Sequence, residues 1–202
     1  LTASLAASTG VLGHRLDEYL QAARIDLRPD GVAIDLDLTA GIAVAESIIV
    51  MIDRDGDGSI SSDEQRAYAG DVMRALEIKL DGESLPLGLV SSNFPELSAF
   101  RRGEGTIRLR ISAAHPRLST GAHQLFFRNA HLGRQSVYLA NALVPESTRV
   151  SVAGQRRDGD QRELTIDYSV RAESTGSAPA WLLVILTSAV FMMWFTRRTR
   201  TT

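Results

Sequence analysis

Apolar and polar positions alternate with period two over most of the chain. After Tyr19, Ala23, Ile25 and Leu27 fall on one face and Ala22, Arg24, Asp26 and Arg28 on the other. The Pro29-Asp30-Gly31 turn follows, and Val32, Ile34, Leu36 and Leu38 then alternate with Ala33, Asp35 and Asp37. This pattern predicts a β-hairpin with one half-buried face. Strand period returns at Leu76, Ile78 and Leu80, turns at Asp81-Gly82, and resumes at Leu85, Leu87 and Leu89. Residues 90–105 read as a loop, and short strands are expected at 106–112, 123–128, 136–143, 148–153 and 163–170. Regular short strands with turn signals between them predict a mainly β chain folded as an antiparallel β-sandwich.

The period changes only once inside this series. Over 41–52, Val44, Ser47, Ile48 and Met51 fall at helical spacing. A second helix is expected from Ser62, with Ser61 or Ser62 as cap, Asp63 and Glu64 in its first turn, and Ala67, Tyr68, Val72 and Ala75 inward. The two helices flank Asp53-Arg54-Asp55-Gly56-Asp57-Gly58-Ser59-Ile60-Ser61-Ser62-Asp63-Glu64. Oxygen side chains stand at places 1, 3 and 5, glycine at 6, an apolar residue at 8 and a carboxylate at 12. A hard cation such as calcium needs six to eight oxygens, so a short loop must curl its own side chains around one point. This run resembles the calcium loop of the EF-hand family. The resemblance implies side-chain oxygens from Asp53, Asp55 and Asp57, the backbone carbonyl of Ser59, a direct or water-bridged contact from Ser61, and a bidentate carboxylate from Glu64. The competing reading is a solvated acidic turn that binds nothing.

The two ends carry a different signal. No charge occurs between Glu173 and Arg197, and the nearly all-apolar run 181–195 has Trp181 and Trp194 near its ends. A helix over it would approach the ~30 Å hydrocarbon thickness, and Arg197, Arg198 and Arg200 would stay cytoplasmic. We therefore expect a linker at 172–179, one C-terminal transmembrane helix at 180–196 and a basic tail at 197–202. Residues 1–13 are uncharged and rich in Ala, Ser, Thr, Leu and Gly, with Val11 and Gly13 at the small-residue positions before a cut. They look like a signal-peptide remnant, which would place the domain at 14–171 outside the cytoplasm.

Composition narrows the chemistry. In 202 residues the formal charge is -2, which offers no electrostatic case for nucleic acid, and cysteine is absent, which removes disulfides and thiolate chemistry. No nucleophile elbow, phosphate loop or dinucleotide fingerprint occurs, so no catalytic residue, no small-molecule substrate and no enzyme activity is expected. Asp158-Gly159-Asp160 lacks the sixth-place glycine and twelfth-place glutamate and reads as a hairpin turn. Of the four histidines, His14 at a processed terminus could join its amine and imidazole around nickel or copper, while His115, His123 and His131 show no ligand spacing. Two stretches, 14–22 and 136–145, resemble the extracytoplasmic domain of bacterial hydrogenase/urease accessory permease-like proteins. That resemblance implies a membrane-protein partner and an accessory subunit handling a transition metal. A single span after the domain argues against transport itself. The main expectation is a membrane-anchored extracytoplasmic module with structural calcium as its cofactor, in a binding or accessory role.

Overall fold

The alternation at the start of the chain produces the expected hairpin. In a computed structural model that describes residues 17–172, β1 (Tyr19–Arg28) and β2 (Gly31–Ala40) pair antiparallel, with Ile25 opposite Ile34 and Leu27 opposite Val32. The chain continues through α1 (Ile42–Ile52), α2 (Ser62–Arg74), β3 (Leu76–Leu80), β4 (Glu83–Ser84) and β5 (Gly88–Asn93). After these come α3 (Leu97–Arg101), β6 (Thr106–Ala114), β7 (Gly121–Asn129), β8 (Ser136–Ala142), β9 (Val150–Arg157) and β10 (Glu163–Val170).

Ten strands form two five-stranded sheets, ordered β5-β6-β2-β1-β8 and β4-β3-β7-β10-β9. Their inward residues join one apolar core: Ile25, Ile34, Leu36 and Leu109 from the first sheet, Ile78, Phe127, Leu164 and Ile166 from the second. Period-two side-chain alternation is what lets each strand give one face to this core. On the outer face of the first sheet, Arg24 pairs with Asp37 at 2.9 Å and Arg110 with Asp35 at 3.1 Å. Such exposed pairs contribute about 0.2–1 kcal/mol each and fix register more than they stabilise.

Three expectations change. The sandwich is not wholly antiparallel, because β8 lies parallel to β1, Tyr19 matching Ser136 and Ile25 matching Ala142. Side chains of β9 take up backbone groups of β8: Arg157 Nε donates to the Ala140 carbonyl at 2.8 Å, and the Ala142 amide donates to Gln155 Oε1 at 3.1 Å. The expected loop at 90–105 holds the end of β5 and the one-and-a-half-turn helix α3, which buries Leu97 and Phe100. The third change concerns the membrane helix in the expected fold class. Among the described residues no helix is long and apolar enough to cross a membrane. The most apolar, α1, has 11 residues and reaches only about 16 Å at the helical rise. Among the described residues the architecture is therefore mainly β, two sheets with three helices. The stretches 1–13, 180–196 and 197–202, and His14, lie outside the described residues, as does all but Ala172 of the expected linker.

Burial sets the cost of substitution. Ile34 is 0% exposed at the centre of the first sheet, so Ile34→Ala should lower unfolding free energy by about 2–5 kcal/mol. Val144 is 91% exposed, and Val144→Ala should stay within about 0.5 kcal/mol of the parent in the same urea titration.

Candidate metal centre

β2 ends in the first sheet and β3 begins in the second, and the segment that carries the chain across is α1, the acidic loop and α2. Each helix buries an apolar stripe, Ala45, Ile48, Ile49 and Ile52 on α1 and Tyr68, Ala69 and Val72 on α2. The loop is held outward between them. Its start is the C-cap of α1, where the Asp53 amide donates to the Ile49 carbonyl at 2.8 Å. Its end is a capping box on α2: the Glu64 amide donates to Ser61 Oγ at 3.3 Å, and the Ser61 amide donates to Glu64 Oε2 at 2.8 Å.

Within the loop, successive amides turn toward the aspartates. Asp57 N–H donates to Asp55 Oδ1 (3.1 Å), Gly58 N–H to Asp53 Oδ2 (3.0 Å) and Ser59 N–H to Asp57 Oδ1 (2.7 Å). Gly56 and Gly58 take φ of 72° and 80°, left-handed values that cost a residue with a Cβ. The consequence is convergence: Asp53, Asp55 and Asp57 each present a carboxylate oxygen, all within 4.8 Å of one another. Asp53 Oδ1 is buried and has no hydrogen-bond partner. Three negative charges this close repel, and a divalent cation between them removes that cost. All the donors are oxygen, the set that suits a hard cation.

The other three expected ligands are placed differently. Glu64 is buried but stands outside the group of three; Oε1 accepts from the Arg54 amide at 2.7 Å, and Oε2 accepts from both the amide and the hydroxyl of Ser61 at 2.8 Å. These bonds from Ser61, against the opposing effect of burial, and then those from the Arg54 and Asp55 amides, hold its carboxyl below the usual range. The Ser61 hydroxyl is thus engaged with Glu64 rather than aimed at the aspartates. Ser59 is fixed through its amide, which leaves its carbonyl as the group the family pattern would use. Arg54 adds a staple, its guanidinium reaching Asp71 on α2 at 2.7 Å.

Beneath the loop lies a buried polar network that periodicity does not reveal. Tyr68 sits one turn beyond Glu64 on the same face of α2. Its hydroxyl is 2.9 Å from that of Tyr19 and 3.2 Å from His131 Nε2. One arrangement satisfies all three: Tyr19 O–H donates to Tyr68, and Tyr68 O–H donates to the Nε2 lone pair. The His131 carbonyl accepts from Gln21 Nε2 at 2.8 Å and from the Tyr138 hydroxyl at 2.6 Å. Asn129 Nδ2 donates to Gln21 Oε1 at 2.8 Å, and the His131 amide donates to Asn129 Oδ1 at 3.0 Å. The signal for this network was Gln21, a polar residue on the inward phase of β1.

The remaining candidates separate. His115 is buried with Nδ1 2.8 Å from the Pro116 carbonyl. His123 contacts Asp81. Among the described residues no histidine joins a metal-ligating group. The Asp158 turn is a hairpin connection, with Glu163 N–H donating to Asp158 Oδ1 at 2.8 Å. No protein-family model matches the chain, and no curated protein matches it either.

The network makes two quantitative statements. Tyr68→Phe would strand the buried Tyr19 hydroxyl and His131 Nε2, at a cost of about 2–4 kcal/mol in chemical denaturation. Burial pushes the His131 imidazole down to about 4, against a smaller opposing effect of Asp71. The folded state then binds fewer protons than the unfolded chain, whose histidine titrates near 6.5. Stability should be flat in this component above pH ~6.5 and fall as pH drops toward about 4. His131→Gln should remove that part of the slope in unfolding curves taken at stepped pH.

Proposed function

We propose that this chain is a calcium-binding module in which the ion is structural, clamping the crossover between the two sheets and serving a binding or accessory role outside the cytoplasm. The observation that carries the reading is the convergence of Asp53, Asp55 and Asp57 within 4.8 Å around a buried, unpartnered Asp53 oxygen. The loop's resemblance to the EF-hand family supports it. Asp53, Asp55 and Asp57 would hold the ion directly, with the Ser59 carbonyl, and with Ser61 directly or through water. Glu64 would complete the shell by exchanging its bonds to the Arg54 and Ser61 amides for the cation. The ion supplies positive charge and nothing redox-active, so its work is to cancel carboxylate repulsion and fix α1 against α2. A single loop, with no second loop in the sequence, favours affinity near 10⁻⁴–10⁻³ M, as in extracellular modules, and constant occupancy where calcium is millimolar.

Calorimetric titration of the full chain should give one calcium site. At free calcium about 100-fold above Kd, the stabilisation should be about 2.7 kcal/mol, a rise in Tm of roughly 5–10 °C. Glu64→Gln and Asp53→Asn should abolish both signals; Asp53→Asn should leave the calcium-free Tm little changed, whereas Glu64→Gln should also lower it, because the glutamine NH2 cannot accept from the Arg54 or Ser61 amide. Nickel and copper serve as parallel arms, since an oxygen-only site has little preference for them. Absence of heat and of any Tm shift at millimolar calcium would sink the reading.

A further inference from the structure

At the end of the β-body away from the calcium loop, a second polar cluster surrounds His123. β7 runs between the two ends, with Asn129 beside Leu76 near α2 and His123 opposite Tyr168 on β10. The His123 side chain is 8% exposed. Its Nδ1 lies 2.7 Å from Asp81 Oδ2, and its Nε2 lies 2.9 Å from the Ser119 carbonyl. Both partners accept hydrogen bonds: a carbonyl oxygen cannot donate, and neither can an ionised carboxylate. A neutral imidazole has one N–H and would face the other acceptor with a lone pair. Only the imidazolium donates to both.

The positions of those acceptors give the arrangement its consequence. Asp81 is the β3–β4 turn residue, at φ 50°, and its other oxygen takes the Gln124 amide at 2.8 Å. Ser119 belongs to the connector that carries the chain from β6 in the first sheet to β7 in the second. That connector is otherwise tied by its own amides to the β1–β2 turn, His115 N–H to the Asp30 carbonyl at 3.4 Å and Leu118 N–H to the Pro29 carbonyl at 3.3 Å. These contacts are long, so the His123 bond is the short one. The other titratable groups facing the cluster are His115 on the connector and Tyr168 on β10, whose ring lies 5.8 Å from that of His123. Tyr168 Oη and His115 Nε2 are buried without hydrogen-bond partners, so neither competes for Asp81 or the Ser119 carbonyl. Arg117 is the remaining charged side chain of the connector.

We infer that His123 is a proton-operated latch: as an imidazolium it ties the β3–β4 turn to the inter-sheet connector, and loss of its proton releases the connector at Ser119. Burial by itself would lower its proton affinity. The hydrogen bonds to Asp81 and Ser119, with the Asp81 charge, outweigh that and raise it above the ordinary histidine value. The sign follows directly. A raised folded value contributes stability below pH ~6.5, and that contribution is lost as pH rises through the folded value. The latch therefore opens as pH rises.

The test is an NMR titration of the full chain, following the His123 ring protons together with amide protection factors. His123 should titrate above pH ~6.5. Across its midpoint, protection at Leu118 should fall about tenfold, while the Gln124 amide held by Asp81 and the amides of Ala69 and Val72 in α2 stay constant. Asp81→Asn keeps a residue that tolerates left-handed backbone and removes the charge. It should lower the His123 midpoint by about one pH unit and shift the loss of protection with it. A His123 midpoint at or below the ordinary value, one unmoved by Asp81→Asn, or connector protection that ignores the titration would each overturn the latch.

Discussion

A single hydroxyl, that of Tyr68, ties the helix–loop–helix to the two sheets. The chain must cross from β2 to β3, and the crossover consists of two short helices and a loop with three like charges at its mouth. Apolar burial of Ile48, Ile49, Ala69 and Val72 holds the helices to the core but is non-directional. Direction comes from Tyr68, bonded between Tyr19 on β1 and His131 beside β7. Because the chain of bonds continues to Gln21, Asn129 and Tyr138, one side chain on α2 is referenced to three strands. Buried polar groups are costly unless every member is paired, and such a network tolerates one arrangement better than its neighbours.

This reference explains how an exposed loop keeps converging carboxylates. Asp55 and Asp57 are solvent-exposed, and nothing apolar holds them. Their positions are set by amides inside the loop and by its two helical ends, the C-cap at Asp53 and the box between Ser61 and Glu64. Fixing those ends transfers the order of the core to the loop. Glu64 belongs to both systems: its carboxylate closes the capping box, and one helical turn on is Tyr68. A change in what Glu64 binds is therefore felt at the first turn of α2, with the network one turn away.

How much of this was legible follows from sequence separation. The β1–β2 hairpin could be read because its pairing partners are near in the chain and Pro29-Asp30-Gly31 marks the turn. The convergence of Asp53, Asp55 and Asp57 could be read because the three lie within five residues of one another in the chain. The parallel pairing of β8 with β1 could not, since strand period is blind to direction and the partners are more than a hundred residues apart. α3 was hidden by its length, five residues after Pro95, too short for a period of 3.6 to register. The bonds of Gln21 to residues 108 and 110 positions away left only one polar residue on an apolar face as a trace. Glu64 carries the expectation of a ligand from its place in the loop pattern, but its bonds to the Arg54 and Ser61 amides depend on the fold of the loop itself.

The histidines show why residue type alone was uninformative. His131 and His123 are both largely enclosed, yet the fold drives their proton affinities in opposite directions. His131 Nε2 faces the Tyr68 hydroxyl, which pairs with a neutral ring, so desolvation prevails and the charged form is disfavoured. His123 faces a carboxylate and a carbonyl, which together demand two donors, so the charged form persists despite burial. One end of the β-body thus disfavours the imidazolium and the other favours it. The difference lies in whether a neighbour can donate as well as accept, a property of partners 42 and 63 positions distant in the chain.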